Sequence, residues 1–258
     1  MKNLIFKTRE LVKFKLLRPM LLSIGDWIGK YSTVGDHPVF DNGQFKWTAL
    51  LENNWMAIRK ELDVILINQQ LLPSIQDIQQ EQKVLNQDNN WKTFFLYGFG
   101  IKATMNCNSC PATASLLEQI PGMKTAFFSV LSPHKHIPAH KGIYKGVIRS
   151  HLGLIIPGRV GECLMRIENE NIYWQEGKVV VFDDTFEHEV WNNTGETRVV
   201  LLIDVIRPFK FPLSYINNAI VNLIGNSSYV KEAMKNHELW ETGFHASLKD
   251  NQQVVLKS

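Results

Sequence analysis

Seven short apolar stretches follow one another between Thr125 and Ile206: Thr125–Ser132, Val147–Ile156, Glu162–Ile167, Asn171–Trp174, Lys178–Phe182, Glu189–Trp191 and Thr197–Ile206. They are rich in β-branched and aromatic residues, which suit a pleated surface. Turn-forming residues separate them: Pro157-Gly158, Asn169-Glu170-Asn171, Glu176-Gly177 and Asn192-Asn193-Thr194-Gly195. Short strands at this close spacing predict an antiparallel sandwich or jelly roll. The strand ends of such a fold converge on one mouth, so residues far apart in sequence can share a ligand site.

Both flanks read as helical. Residues 1–30 predict one or two helices, and 31–46 an irregular segment with Gly35, Pro38, Asp41, Asn42 and Gly43. From Trp47 to about Asn68 apolar residues recur at three- and four-residue steps, through Leu50, Leu51, Trp55, Ile58, Leu62, Ile65 and Leu66, which predicts a helix. Residues 69–90 are polar and predict a loop with one short helix. Trp91–Phe99 predicts a strand and Pro111–Ile120 a short helix. Pro208 and Pro212 close the strand region, after which Tyr215–Ile224 and Ser228 to about Trp240 read as helices, expected to pack on the β core, with a dimer seam or a membrane-facing surface as the alternatives. No internal repeat or linker divides the chain. The expectation is one domain: a helical arm (1–45), a mixed support (46–124), the β core (125–208) and C-terminal helices (209–258).

Apolar residues at 45% and charged residues at 21% suit a soluble globular protein. A net charge of +3 without a Lys/Arg block gives no footprint for nucleic acid. The three cysteines, Cys107, Cys110 and Cys163, are too few and odd in number for a disulfide framework, which suggests a reducing, cytoplasmic setting. Cys107 and Cys110 form a CxxC with no second pair to complete a zinc site, so packing cysteines are expected. No apolar run is long enough to cross a bilayer, and no signal-peptide pattern opens the chain. Residues 1–30 nevertheless mix Lys2, Lys7, Arg9, Lys13, Lys15 and Arg18 with apolar residues. A first helix packed on the domain is expected there; peripheral contact with an anionic membrane is the alternative.

Among the eight histidines, His140 and His188 stand at opposite ends of the β region, where a jelly roll brings positions together. Two neutral imidazoles suit Fe(II) and leave coordination positions open. Arg149 and Arg198 lie in apolar strands. A guanidinium there matches a carboxylate in a two-pronged way, and a small dicarboxylate that also chelates the metal would satisfy both. Structural ion pairs with Asp183, Asp184 or Glu187 are the competing account.

The strings His151-Leu152-Gly153-Leu154-Ile155-Ile156-Pro157, Glu176-Gly177-Lys178 and Phe182-Asp183-Asp184-Thr185-Phe186-Glu187-His188-Glu189-Val190-Trp191 resemble the aspartyl/asparaginyl β-hydroxylase family. The intervals from His140 to Arg149 and from His188 to Arg198 match too. The likeness covers roughly residues 90–208; the flanking helices are more similar to the bacterial lipid A 2-hydroxylase branch. It implies a double-stranded β-helix (jelly roll, cupin-like) dioxygenase that uses Fe(II), 2-oxoglutarate and O2. His140 and His188 would be the metal ligands. Ser129, Arg149, His151 and Arg198 match the positions that hold 2-oxoglutarate.

Two departures bear on chemistry. The common facial triad has a carboxylate two residues after its first histidine; here that residue is Gly142, as in the aspartyl hydroxylase branch, where water completes the iron shell. Halide at that position is a further option. Positions where peptide-acting members carry basic residues hold Phe127 and Val147, so a peptidyl aspartate would lack its charge partners unless His134, His136, Lys141 or Lys145 supplied them. The expected reaction is hydroxylation of an unactivated C–H bond, with an aspartyl or asparaginyl residue as the leading substrate and a lipid A acyl chain or a free amino acid as the alternatives. Two other classes remain open: a silent cupin-like binding module, and a zinc enzyme using His134, His136 and His140.

Overall fold

The computed structural model describes residues 19–79, 83, 85 and 87–255, with side chains as far as residue 248. A helix over 19–29 (α1) leads to strand β1 (Val39–Phe40), then α2 (Lys46–Asn53), α3 (Trp55–Leu66) and the short α4 (Ile75–Ile78). Strands β2 (Trp91–Gly98) and β3 (Ile101–Lys102) precede α5 (Thr104–Ser109) and α6 (Pro111–Glu118). Eight strands then run almost without interruption: β4 (Met123–Leu131), β5 (His136–His140), β6 (Val147–Ile155), β7 (Cys163–Ile167), β8 (Glu170–Tyr173), β9 (Val179–Phe182), β10 (His188–Asn192) and β11 (Arg198–Ile206). Helices α7 (Leu213–Gly225) and α8 (Ser228–Val255) complete the chain.

The strands form two antiparallel sheets, ordered β1-β9-β6-β11-β4-β2-β3 and β5-β10-β7-β8. The chain passes between them in the order of a double-stranded β-helix: β4, β6, β9 and β11 lie in the larger sheet, and β5, β7, β8 and β10 in the smaller. The larger sheet is covered on both faces, so its strands are apolar at nearly every position. Ala126, Phe128, Val130, Leu152, Leu154, Val199, Leu201 and Ile203 pack outward against Leu51, Ile58, Leu62, Leu117 and Phe244 of the helices. Their neighbours Phe127, Leu131, Phe182, Val200 and Leu202 point inward, onto Ile137, Met165, Ile167 and Val190 of the smaller sheet. Period-two alternation therefore assigns Ser129, Arg149, His151 and Arg198 to the inner face.

The seven expected core strands are present, and three more appear. The fifth strand, His136–His140, hides behind Pro138, which cannot donate to a ladder; β5 tolerates it as the edge of the smaller sheet. Strand β1 lies in the stretch expected to be irregular and pairs with β9. The single helix expected from Trp47 is two, because Asn54 leaves helical geometry and its side-chain amide donates to Leu50 O at 2.8 Å. Helix α5 was not expected. It buries Cys107, and Cys110 follows it, both as free thiols. Burial pushes the Cys107 thiol up to about 11, in keeping with packing cysteines. The last helix runs past Trp240 because Val230, Ala233, His237, Glu241 and Phe244 keep burying at helical spacing. Residues 1–18, part of the expected N-terminal helical arm, lie outside the described residues.

Candidate active site

Strands β5 and β10 are neighbours, and their register sets His140 directly opposite His188. The ring centroids are 4.1 Å apart with the planes inclined by 52°. Each ring is oriented in the same way: His140 Nδ1 donates to Pro138 O at 2.8 Å, and His188 Nδ1 donates to Phe186 O at 3.0 Å. A carbonyl only accepts, so the proton sits on Nδ1 and each Nε2 keeps its lone pair. Burial also holds both imidazoles neutral. It pushes His188 down to about 3, aided by His140, and pushes His140 down as well. Two neutral imidazoles that present Nε2 are in the state that binds a metal.

The turn before His188 is fixed by Asp183, whose Oδ1 accepts from Thr185 N at 3.0 Å and Thr185 Oγ1 at 2.6 Å, while its other oxygen pairs with Arg207. The following residue, Asp184, receives the Gly142 N–H on its backbone oxygen at 2.7 Å. Its carboxylate fills the volume beside Gly142: a Cβ on that glycine would come within 2.3 Å of Asp184 Oδ1. Asp184 Oδ2 lies 3.0 Å from Arg149 Nη1. Arg149 in turn grips Asp204 through Nε at 2.8 Å and Nη2 at 3.0 Å. The ion-pair account anticipated for Arg149 is thus realised with Asp184, and with an Asp204 that the sequence reading did not single out.

Arg198 differs. Its side chain is 1% exposed, yet no described carboxylate pairs with it, and its Nε is buried without a partner. The guanidinium carbon lies 4.2 Å from the centre of the Trp174 ring. Burial depresses its pKa to about 10. Close by, both ring nitrogens of His151 and the indole Nε1 of Trp174 are also buried and unpartnered; the two rings are 5.7 Å apart. Burial, then Arg198, holds His151 neutral. Ser129 Oγ accepts from Trp91 Nε1 at 3.1 Å, which leaves its own proton free to donate. Buried polar atoms without partners are costly in a finished core, and here they share one region of the barrel interior. They suit an anionic ligand. Trp174 belongs to this set and was missed, because an aromatic in a strand candidate reads as core.

The other candidates do not converge. His136 stacks on Trp191 at 5.1 Å and bonds Glu189 at 2.7 Å, so it faces away from His140's partner. Among the described residues no group of three or more His, Cys, Asp or Glu side chains is arranged to hold a metal, and the trio His134, His136 and His140 is not assembled. Lys145 offers no free charge: it is bound to Asp36 at 2.8 Å and lies over Phe186. Phe127 is buried against Phe95, and Val147 packs in an apolar cluster with Leu21 and Val221.

Known proteins resemble this chain in fold and in sequence. Two cupin domains match the fold region: that of an Enterobacter cloacae XRE family transcriptional regulator (16% identity, TM-score 0.31, covering 45% of this chain and 96% of that one) and that of Schizosaccharomyces pombe Cnp3 (11%, 0.31, 48% and 77%). The ornithine lipid ester-linked acyl 2-hydroxylase of Rhizobium tropici is 46% identical over 217 residues, 84% of this chain and 77% of that protein. Human aspartyl/asparaginyl β-hydroxylase is 33% identical over 179 residues, 67% of this chain but 22% of that protein's length. The model of the aspartyl/asparaginyl β-hydroxylase family matches residues 52–208. That span takes in the whole β core with both facing imidazoles, and the chain belongs to the aspartyl/asparaginyl β-hydroxylase family.

Proposed function

We propose that this chain is an Fe(II)- and 2-oxoglutarate-dependent hydroxylase that acts on the acyl chain of a polar lipid. The observation that carries the cosubstrate is the buried Arg198, with which no carboxylate among the described residues pairs. A dicarboxylate whose far end reached Arg198, with Ser129 donating its hydroxyl, would complete an ion pair that the protein alone leaves open. His151 and Trp174 would bound the same pocket. His140 and His188 would hold the metal through Nε2. When bound, iron and 2-oxoglutarate supply O2 activation: one oxygen atom enters the substrate C–H bond, the other enters succinate, and CO2 leaves.

The protein's own contributions follow from the geometry. Arg149 holds Asp184 and Asp204 in place and so fixes the carboxylate beside Gly142. That carboxylate could accept a hydrogen bond from water beside a bound metal. The barrel interior excludes bulk water and strengthens every polar contact within it.

The substrate class rests on two supports. The Rhizobium tropici relative is named for hydroxylation of a lipid acyl chain and aligns over most of both chains. Phe127 and Val147 place apolar side chains where peptide-acting members are basic, and each packs in an apolar cluster. Anaerobic Fe(II) titration followed by a succinate-release screen tests the reading. Succinate is expected with acylated amino lipids and not with aspartyl peptides or free amino acids. Release driven by the peptides would move the chain to the other branch. Absence of both iron binding and succinate would leave a binding module.

A further inference from the structure

We infer that helix α7, together with α1, lies on an anionic lipid bilayer and presents the mouth of the site to it. The inference rests on the acyl-lipid reading for its choice of a membrane over a second copy of the chain. Its starting point is that α7 carries no charge and leaves large apolar side chains exposed. From Phe211 to Val230 the sequence carries no Asp, Glu, Lys, Arg or His. A surface helix normally turns charged residues to water and apolar ones to the core. Helix α7 buries only Asn217 and Val221. Asn217 is a hydrogen-bond hub: it accepts from Tyr144 Oη at 2.8 Å and donates to Gly146 O at 2.9 Å. Outward point Tyr215 at 78% exposure and Leu223 at 70%, with Phe211 just before the helix at 83%.

Helix α1 extends this face. Trp27 and Tyr31 are more than half exposed, with ring centroids 5.4 Å apart. Ser32 bridges to Phe209, which sets Tyr31 beside the segment leading into α7. Leu21 and Val221 join the two helices in one apolar cluster. Trp and Tyr at the rim of an apolar face suit the headgroup boundary, where the ring is buried and the polar tip is hydrated. With 13 residues, α7 is too short to span a bilayer, and among the described residues no helix is long and apolar enough to cross one.

Charge favours an anionic surface. Lys30 and Lys210 are exposed at the edge of the face, with Asp26 as the exposed acid on α1. The 18 residues that precede α1 contain Lys2, Lys7, Arg9, Lys13, Lys15 and Arg18 against one acid, Glu10. Two signals, apolar area and a basic segment, are what reversible membrane binding requires.

The face also touches the site. Segment 141–147 lies beneath both helices: a Cβ on Gly25 would come within 3.0 Å of Lys145 N, and Tyr144 bonds to Asn217. That segment begins at His140's neighbour and carries Gly142, which bonds to Asp184. Segment 141–147 thus links the exposed face of α7 and α1 to the end of β5 that carries His140.

Flotation of the full-length protein with phosphatidylcholine vesicles, with and without phosphatidylglycerol, tests the inference. The protein is expected to float with the anionic vesicles, and more weakly at high salt. The Tyr215→Glu/Leu223→Glu variant replaces two exposed side chains and is expected to melt like the unaltered protein. It should lose vesicle binding by about tenfold for each position. Equal flotation by the variant would overturn the inference, as would absence of binding by the unaltered protein. Light scattering that gives a dimer, which the same substitutions convert to a monomer, would assign the face to a second copy. Iron binding and succinate release with detergent-dispersed lipid do not depend on this face, so either reading can fail alone.

Discussion

Arg207 and Asp183 form an ion pair from which water is shut out on both sides, each side chain being 0% exposed. Arg207 stands just beyond the end of β11, and Asp183 opens the turn that carries the chain to His188. The guanidinium also lies 3.7 Å from Asp36 and over the Phe40 ring. Asp183 N donates to Pro38 O at 3.0 Å, so β1, the turn and the end of β11 meet at this pair. Removing one partner of a buried pair leaves the other uncompensated, which costs about 3–5 kcal/mol. Asp183→Asn is therefore expected to lower the melting temperature by roughly 10 °C and to weaken metal binding through the displaced His188. Calorimetry on that variant and on Asp183→Asn/Arg207→Met checks it, with the double variant regaining much of the loss. A single variant that melts with the unaltered protein would refute the positioning role.

Arg198 reverses that logic. Its charge is already buried with no carboxylate among the described residues beside it, so replacing it removes a desolvation cost rather than a bond. Arg198→Met, similar in length and apolar, is expected to melt at or above the unaltered protein in the absence of ligand. It should raise the 2-oxoglutarate concentration needed for half-maximal turnover by at least about a hundredfold, the loss of a charged, two-pronged contact. Addition of 2-oxoglutarate should raise the melting temperature of the unaltered protein but not of the variant. A strongly destabilised Arg198→Met would mean that the guanidinium is structural.

Much of this was legible in the sequence because strand chemistry is local. Apolar alternation and turn residues mark seven of the eight barrel strands, and the family likeness points to His140 and His188 and to Ser129, Arg149, His151 and Arg198. What stayed hidden depends on partners distant in the chain. Pro138 masks β5 since only its edge position, a property of the whole sheet, makes it tolerable. Asp204 reads as one more residue of an apolar strand until β6 lays Arg149 beside it. Trp174 reads as core until Arg198 comes to rest on its ring. Uncharged α7 reads first as a helix packed on the β core, with a dimer seam or a membrane-facing surface as alternatives, because sequence alone does not say that Asn217 faces inward and Leu223 outward.

The volume beside Gly142 yields a further expectation. A side chain there meets the Asp184 carboxylate, with Oδ1 at 2.3 Å and Oδ2 at 2.7 Å from an ideal Cβ. Restoring the common triad by Gly142→Asp would thus force two carboxylates together beside the imidazoles. The variant is expected to bind Fe(II) at least about tenfold more weakly than the unaltered protein, since like charges at this range cost several kcal/mol in a buried setting. Gly142→Asp/Asp184→Gly exchanges the two side chains and should recover the affinity. Anaerobic titration of both variants decides the point, and tighter binding by the single variant would show that Asp184 yields without cost.

His237 gives a pH dependence away from the site. It lies on the buried face of α8 at 2% exposure, faces the Phe95 ring at 5.6 Å, and its Nε2 accepts from Asn106 Nδ2 at 3.3 Å. Burial lowers its pKa from 6.5 to about 4. Between those values the unfolded chain binds a proton that the folded chain refuses, so stability is level above about pH 7 and falls as the pH drops toward 4. The slope approaches 1.4 kcal/mol per pH unit for one such group. His140, His151 and His188 are shifted the same way and steepen the same window. His237→Phe keeps the ring packing and removes one proton from the balance. Its stability relative to the unaltered protein is expected to rise by about 2 kcal/mol between pH 7.5 and pH 5, read from urea unfolding at both values. Parallel curves for the two proteins would show that His237 already carries its proton when folded.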